Sequence, residues 1–228
     1  MSAARRSAPS VAIVGAGMGG ISAGVLLRRA GITDLTIYEE AERVGRMPGV
    51  PLLSEILAEI SRGIAAVQSG DPAGGAARID AAVTRLMATG HRVWVWYLRA
   101  LQAEGLALSG DEGAAAALLD HCVERIEAGE QRCHFPEVLR LRGWLHGRMG
   151  RRAEAEADLG AAIALARRQS ARSWELRALA TLLRLRGAHD AEARGMLARC
   201  LEWFTEGLGT PDLREARALL AVGESAGG

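Results

Sequence analysis

The feature that most constrains the fold of this chain is a repeat of about 40 residues that begins shortly after residue 50. Helix-breaking dipeptides recur at Gly70-Asp71, Gly110-Asp111, Gly150-Arg151 and Gly187-Ala188, at spacings of 40, 40 and 37 residues. Periods of 20 to 50 residues are typical of stacked supersecondary units. Each unit buries its apolar face only against its neighbours, so the repeat predicts an elongated stack.

Residues at equivalent positions in successive repeats share their side-chain type. Three columns follow the breaks: Ile79, Leu119, Leu159 and Leu197; Ala82, Cys122, Ala162 and Cys200; Val83, Val123, Ile163 and Leu201. The first two columns are three residues apart and therefore share a helix face. A column of small residues precedes the breaks: Gly63, Ala103, Gly143 and Ala180. Small side chains there are expected to let two helices approach closely, so each repeat is predicted to be a helix pair.

The residues at the breaks agree with this prediction. Gly70, Gly110 and Gly150 are suited to the left-handed conformation that ends a helix. Asp71, which precedes a proline, and Asp111 are predicted to cap the helices that follow. Thr210-Pro211-Asp212 is predicted to begin a last, solvent-facing helix that reaches about Val222 and closes the stack.

Composition excludes several kinds of partner. Lys plus Arg (28) and Asp plus Glu (27) nearly cancel, leaving a net charge of +1. We therefore expect neither nucleic acid nor a membrane as a partner. The three cysteines, Cys122, Cys133 and Cys200, are too few for a disulfide framework and predict a reducing, cytoplasmic location. The apolar run 11–27 is interrupted by glycines and is too short to span a membrane.

The spacing of small and large residues, as in Ala155, Leu159 and Ala162, resembles the tetratricopeptide repeat (TPR), with a longer period. Residues 143–220 resemble the C-terminal repeats of bacterial class III nucleotide cyclases and LuxR-type ATPase regulators. Segments that carry this resemblance include Arg140-Leu141-Arg142-Gly143, Ser173-Trp174-Glu175-Leu176-Arg177 and Thr210-Pro211-Asp212-Leu213. The resemblance extends to about Pro51 and implies only the repeat scaffold, whose usual role is protein contact.

The N-terminal region has a different pattern. A short apolar strand at 10–14 is followed by Gly15, Gly17 and Gly20 in the spacing G-x-G-x-x-G, then by a helix and a strand at 35–38. This is the context of a dinucleotide-binding β-α-β unit, in which the glycines and the helix N-terminus approach a pyrophosphate. Glu39 ends the second strand, where an acid binds ribose hydroxyls.

Residues 10–45 resemble the start of flavin-containing or Baeyer–Villiger monooxygenases. The resemblance implies FAD as the cofactor, with Gly15, Gly17, Gly19, Gly20 and Glu39 as its binding residues. It stops at Arg46, and the third strand and catalytic groups of that family do not follow. A parallel strand pair alone is also marginal, because parallel sheets are stable when both faces are covered.

The predicted fold class is mainly α: an α-α superhelix of TPR type, with about four helix pairs and a capping helix, preceded by a truncated Rossmann-like β-α-β unit. The predicted domains are a disordered tail (1–9), a partial FAD- or NAD(P)-binding fragment (10–46), a linker (47–51), the repeats (52–222) and a second disordered tail (223–228).

Other candidate sites have simpler explanations. His121-Cys122 and Cys133-His134 suggest zinc ligands or a nucleophile, but Cys122 lies in a core column, so no metal site and no catalytic residue is predicted. Most of the apolar segment 93–97, together with Trp144, Trp174 and Trp203, is expected to pack in the core, and the alternative is that one aromatic of the segment faces the concave groove. Arginines between 140 and 172 are expected to form an ion-paired, solvated face, and the alternative is a surface that binds an acidic partner.

Three functional hypotheses follow. The first is a protein–protein interaction scaffold without catalysis, whose groove holds another protein or a peptide. The second is an FAD-binding protein, or the remnant of a flavin-dependent oxidoreductase, fused to repeats. The third is a chimera without a function of its own, from gene rearrangement or an erroneous gene model. The absence of any flavoprotein pattern after Arg46 favours the first, with no cofactor. The sequence leaves the partner and the oligomeric state open.

Overall fold

The computed structural model describes residues 11–14, 35–38, 50–129 and 132–222. The chain divides into two compact units, Met1–Glu55 and Ile56–Gly228. In the first, the strands β1 (Val11–Val14) and β2 (Leu35–Tyr38) pair in parallel, with Val11 opposite Leu35 and Val14 opposite Tyr38. Both strands occur where the sequence predicts them, so they confirm the strand pattern around the glycine motif.

The rest of the described chain is helical, which confirms the prediction of a mainly α protein. The helices are α1 (Val50–Gln68), α2 (Pro72–Ala88), α3 (Val95–Leu108), α4 (Glu112–Glu127), α5 (Phe135–Arg148), α6 (Arg152–Arg168), α7 (Arg172–Arg186), α8 (Ala191–Glu202) and α9 (Pro211–Val222). Each repeat recognised in the sequence therefore corresponds to one helix before a glycine break and one after it.

The helices from α2 to α9 form two layers. Each packs against the next along the chain, and α3, α5, α7 and α9 also contact one another in succession. No comparable contact joins α2, α4, α6 and α8 among the residues described. We call α3, α5, α7 and α9 the inner helices, and α2, α4, α6 and α8 the outer helices. The inner helices form a continuous wall because each touches its predecessor and its successor, whereas the outer helices cover one side of that wall.

The side-chain columns of the sequence meet at the contacts between helices. Ile79, Leu119, Leu159 and Leu197 are completely buried. A Cβ atom on Gly63 would lie 2.7 Å from Ile79 Cγ1, and one on Gly143 would lie 3.0 Å from Leu159 Cγ. The large residue of one helix thus fills the space left by the small residue of the preceding helix. This confirms the close approach that the small-residue column predicts.

The helix ends also follow the sequence. Gly70, Gly110 and Gly150 have φ angles of 99°, 100° and 74°, in the left-handed region. The residue after each donates its backbone N–H to the carbonyl five residues earlier, which satisfies a carbonyl that the helix leaves free. Asp71 and Asp111 cap the next helices by accepting from the N–H groups of Gly74 and Ala114. The same left-handed geometry occurs at Ser170, with φ of 54°, where no glycine marks the break.

Polar contacts between repeats recur with the same period. Gln102 of α3 donates to Asp80 of α2 (3.3 Å), and Arg142 of α5 donates to Asp120 of α4 (3.3 Å). Both pairs join an inner helix to the outer helix that precedes it, and both span 22 positions. The polar contact, like the apolar columns, therefore belongs to the repeat.

Candidate functional site

The inner helices line two adjoining cavities, of about 300 Å³ and about 490 Å³, which share Leu176 and Asp212. We call the two together the inner groove. The smaller cavity is lined by Glu104, Leu108, Arg140, Trp144, Leu176, Arg177, Ala180, Thr181, Arg184, Asp212 and Glu215. The larger is lined by Ser173, Leu176, Trp203, Phe204, Thr205, Glu206, Gly207, Thr210, Asp212 and Leu213.

Helical spacing places the groove residues on one side of each inner helix. Glu104 and Leu108 of α3 are four residues apart, as are Arg140 and Trp144 of α5. Residues three or four apart lie on the same helix face. Since the opposite faces pack against the outer helices, these side chains form the free surface of the wall.

A buried ion-pair triad supports the floor of the groove. Glu137 is fully buried and accepts two hydrogen bonds of 2.8 Å from Arg140, which is 7% exposed. Arg177 of α7 binds the same carboxylate at 2.9 Å. Burial by itself would lower the pKa of Arg140, but Glu137 holds it above its ordinary value. The triad joins α5 to α7 and occupies two of the groove's three arginines.

The third arginine is also paired. Arg184 of α7 forms an ion pair with Glu215 of α9. Burial, and then the charge of Arg140, lower the pKa of Arg184. Every guanidinium that lines the groove therefore already has a carboxylate partner within the repeats.

Two carboxylates that line the smaller cavity have no such partner. Glu104 and Asp212 take part in no hydrogen bond or ion pair with any residue that the structure describes. Burial raises the pKa of Glu104; the charge of Arg140 opposes this rise and that of Glu137 adds to it. Asp212 lies in the first turn of α9, where the helix dipole favours a negative charge. These are the free acidic groups of the smaller cavity.

An aromatic cluster continues the wall along the first turns of the inner helices. The ring of His134 stacks on Tyr97, with centroids 4.5 Å apart, and its edge meets Trp174 at 6.2 Å. Trp94 approaches His134 at 6.3 Å and is 49% exposed. Burial lowers the pKa of His134 and raises that of Tyr97. The cluster holds α3, α5 and α7 together at one end.

The structure corrects two expectations for aromatic segments. In the segment 93–97, Val95 is buried, but Val93 and Trp94 are 47% and 49% exposed, because both precede the first residue of α3 and lie in the turn that leads into it. Trp203 is 60% exposed, since it follows the end of α8 and packs only edge-on against Phe204. Trp144 and Trp174 are half-buried and stack with Arg148 and Arg177.

The cysteines differ in their surroundings. Cys122 and Cys200 are buried in their column, and burial raises the pKa of their thiols to about 12 and about 11. Cys133 is exposed, with its Sγ 3.0 Å from Nδ1 of His134. A thiol with a raised pKa is a poor nucleophile, so the two column cysteines are structural residues.

The arginine-rich segment is ion-paired, as the sequence predicts. Six of its arginines bind carboxylates: Arg140, Arg142, Arg148, Arg152, Arg167 and Arg172. Several of the partners lie on other helices, and two of them, Asp120 and Glu112 of α4, are 22 and 36 positions from their arginines. The arginines therefore link neighbouring helices.

The predicted cofactor residues Gly15, Gly17, Gly19, Gly20 and Glu39 lie outside the described residues. The strands that flank them are described, and their parallel pairing is the arrangement that a β-α-β unit requires.

The sequence did not single out Glu104, Thr181 or Arg184, and it placed Asp212 only at the start of the last helix. One signal was available: Tyr97, Leu101, Glu104 and Leu108 follow helical spacing, so Glu104 is a lone acid on an otherwise apolar or aromatic helix face. The equivalent positions in the next two repeats are Trp144, which is 40 residues after Glu104, and Thr181, which is 37 residues after Trp144. Comparing these positions between repeats would have located the wall, but not which of its charged residues form ion pairs with one another.

Comparison with known proteins gives one match. Residues 13–51 match the family described as NAD(P)-binding Rossmann-like domain, which is consistent with the dinucleotide-binding motif that the sequence predicts there. No curated protein and no solved structure matches the chain. Across the helices that the structure describes, none is long and apolar enough to cross a membrane.

Proposed function

We propose that this protein is an interaction scaffold of TPR type, whose helical repeats form a superhelix and whose inner groove holds a segment of another protein. The observation that carries the proposal is the succession of contacts between the inner helices, which leaves one uninterrupted wall open on its free side. A preformed concave surface of this kind binds without the cost of ordering itself.

The chemistry of the wall supports binding rather than catalysis. Its arginines are held by Glu137 and Glu215, so the surface is rigid and its polar groups are preorganised. Half-buried Trp144 and exposed Leu108 supply apolar contact area beside the charges. Aromatic and arginine residues are the side chains that most often dominate binding energy at protein interfaces.

The proposal is tested by selecting, from a library of random dodecapeptides, those that bind the full-length protein, and then measuring their affinity for two variants. Leu108→Arg places a long side chain at an exposed groove position (44% exposed) and should weaken the selected peptides at least about tenfold. Leu57→Arg, at a position of α1 that is 38% exposed and lines neither cavity, is the matched control and should have little effect. Equal loss in both variants, or no selected peptide, would contradict the proposal.

A second candidate function is favoured by one specific observation. The family match at residues 13–51 and the parallel pairing of β1 with β2 both support a dinucleotide site built on Gly15, Gly17 and Gly20, with Glu39 at the ribose. Such a unit would hold FAD or NAD(P) through backbone N–H groups at a helix N-terminus.

The test of this second function uses the protein with and without Gly17→Val. A dinucleotide site predicts FAD or NADPH retained after gel filtration, detected by absorbance, and its loss in Gly17→Val. Gly160→Ala, in the helical repeats, is the control and should retain the cofactor. A protein that retains neither cofactor would contradict a dinucleotide function and leave the scaffold proposal unaffected.

A further inference from the structure

The charges of the inner groove are not equally available to a ligand. Arg140 and Arg177 both bind Glu137, and Arg184 binds Glu215. Releasing Glu137 to free its arginines would leave a fully buried carboxylate without a partner, which is strongly unfavourable. The arginines therefore belong to the scaffold, and the groups that remain free to bind are acidic.

The free acids lie along the groove. Glu104 and Leu108 line one end of the smaller cavity, Asp212 lies where the two cavities meet, and Glu206 lines the larger one. Glu206, like the other two, accepts no hydrogen bond from the part of the chain that the structure describes. Taking the residues that line both cavities together with Glu137, five carboxylates oppose three guanidinium groups, which gives a formal charge of −2.

The larger cavity is suited to an apolar side chain of the ligand. Leu176 and Leu213 line it together with the rings of Trp203 and Phe204, whose centroids are 5.2 Å apart. Trp203 is 60% exposed, so it presents a large apolar ring at the cavity mouth. An apolar side chain that enters here would have Asp212 and Glu206 on its flanks.

From this arrangement we infer that the inner groove binds a basic peptide segment of a partner protein, with lysine or arginine side chains at Glu104 and Asp212 and an apolar side chain against Trp203 and Phe204. This inference rests on the proposed scaffold function and specifies the chemistry of its partner. Charge complementarity of this kind sets specificity and the rate of association more than total affinity.

The state of Glu104 adds a dependence on pH. Since burial raises the pKa of its carboxyl group, Glu104 is protonated at higher pH than an exposed glutamate and becomes a cation acceptor only above that pKa. A basic segment therefore binds more tightly as pH rises through the pKa of Glu104. Lysine and arginine remain charged to well above neutral pH, so the change belongs to the groove.

The experiment uses three fluorescein-labelled dodecapeptides with the same leucine and phenylalanine positions and with Lys, Gln or Glu at all other positions. Fluorescence anisotropy measures their affinity for the full-length protein at about 50 mM salt, where screening is weak. The Lys peptide is expected to bind at least about tenfold more tightly than the Gln peptide, and the Glu peptide more weakly than both.

Matched variants locate the effect. Glu104→Gln combined with Asp212→Asn should weaken the Lys peptide about tenfold and change the Gln peptide less than about twofold. Glu124→Gln combined with Glu202→Gln removes two exposed carboxylates from the outer helices α4 and α8 and should change neither. Tighter binding of the Glu peptide, equal loss in both double variants, or no binding of the Lys peptide would overturn the inference.

The same measurements separate this inference from the scaffold proposal. The peptides selected from the random library could depend on Leu108 for binding and yet be acidic or uncharged. That result would support the scaffold proposal and overturn the inference of a basic partner. Failure to select any groove-dependent peptide would overturn both.

Discussion

The inner and outer helices have the same repeat but differ in what surrounds them. Outer helix α6 buries only one face, through residues such as Ala155, Leu159 and Ala162, and exposes the rest. Inner helix α5 is buried over most of its first two turns, including Glu137 and Arg140. An inner helix in the middle of the stack, such as α5, has neighbours on three sides, namely two inner helices and the outer layer, so the strip of its surface left open is narrow.

This difference teaches where a polar residue carries information. On the outer helices most charged side chains are exposed to solvent, and exposed ion pairs contribute little to stability. On the inner helices, Glu104, Glu137 and Arg140 are half-buried or buried, and a charge in that position must be paired or serve another purpose. Glu137 is of the first kind, since it is paired, and Glu104 is of the second.

The largest contrast is expected at the buried triad. Glu137→Ala removes the carboxylate that holds Arg140 and Arg177 and should lower the free energy of unfolding by about 3 to 5 kcal/mol. Arg152→Ala on the outer helix α6, whose side chain is 61% exposed in its pair with Glu156, should change it by no more than about 0.5 kcal/mol. Urea denaturation measures both, and similar costs would remove the distinction between the layers.

A second contrast lies within the outer helices themselves. A Cβ on Gly75 of α2 would lie 2.6 Å from the carbonyl oxygen of Gly63 in α1, so Gly75→Ala must push the two helices apart. We expect Gly75→Ala to lower the free energy of unfolding by about 1 to 3 kcal/mol. Gly160 of α6 has open space around it, and Gly160→Ala should stabilise by about 0.5 to 1 kcal/mol through helix propensity. Thermal unfolding measures whether each substitution raises or lowers the melting temperature. Stabilisation by both substitutions would rule out the close approach of α1 and α2 at Gly75.

A smaller effect is expected at Ser170, in the junction between α6 and α7. Ser170 holds the left-handed conformation that glycine holds in the other breaks, at a steric cost that glycine avoids. Ser170→Gly should therefore raise the free energy of unfolding by about 0.5 kcal/mol, after the entropy cost of glycine is subtracted. The reverse change, Gly110→Ala, should lower it by about 1 kcal/mol. Differential scanning calorimetry would refute this account if Ser170→Gly destabilised the protein.

The smallest expected effect concerns Glu104 and depends on pH. Burial raises its folded-state pKa above the unfolded value. Between those two pKa values the folded state binds more protons, so stability falls as pH rises through this window and remains lower at neutral pH. Glu104→Gln should therefore increase the melting temperature slightly at pH 7, and the gain should disappear below about pH 4. Glu124→Gln, at an exposed glutamate of α4, should show no gain; a gain at that position too would point to a general charge effect.

Such a gain would indicate that Glu104 is retained at the expense of stability. Residues that lower stability are concentrated at binding sites, where an unpaired group is available to a partner. The stability measurement and the peptide measurement thus address the same carboxylate by independent routes.

Much of the helical fold was predictable because it depends on local chemistry repeated along the chain. The glycine breaks, the caps at Asp71 and Asp111 and the small-residue column each act through atoms a few residues away or through one neighbouring helix. Ser170 was not predictable from its type, because serine seldom adopts positive φ and does so here under the constraint of α6 and α7.

The candidate site was only partly predictable. The pattern places Arg140 among ion-paired arginines, which is correct, but indicates a solvated face for a side chain that is 7% exposed. Whether an arginine points to solvent or to a neighbouring helix depends on the packing of α5 against α7, and one helix's spacing carries no information about that. The burial predicted for Trp203 was wrong for the same reason, since its exposure depends on the packing of neighbouring helices.

The sequence by itself determined the period, the positions of most helix ends and the columns that fill the core, since these depend on residue size, on glycine and on aspartate at known spacings. Only the tertiary structure decided which helices form the wall, that Glu137 holds two arginines from different helices, and that Glu104 and Asp212 remain unpaired. Those features depend on contacts between residues about 40 positions apart, such as Glu137 and Arg177. An ion pair across that separation depends on how the helices pack, because the charged residues of either helix could pair with several alternative partners equally well.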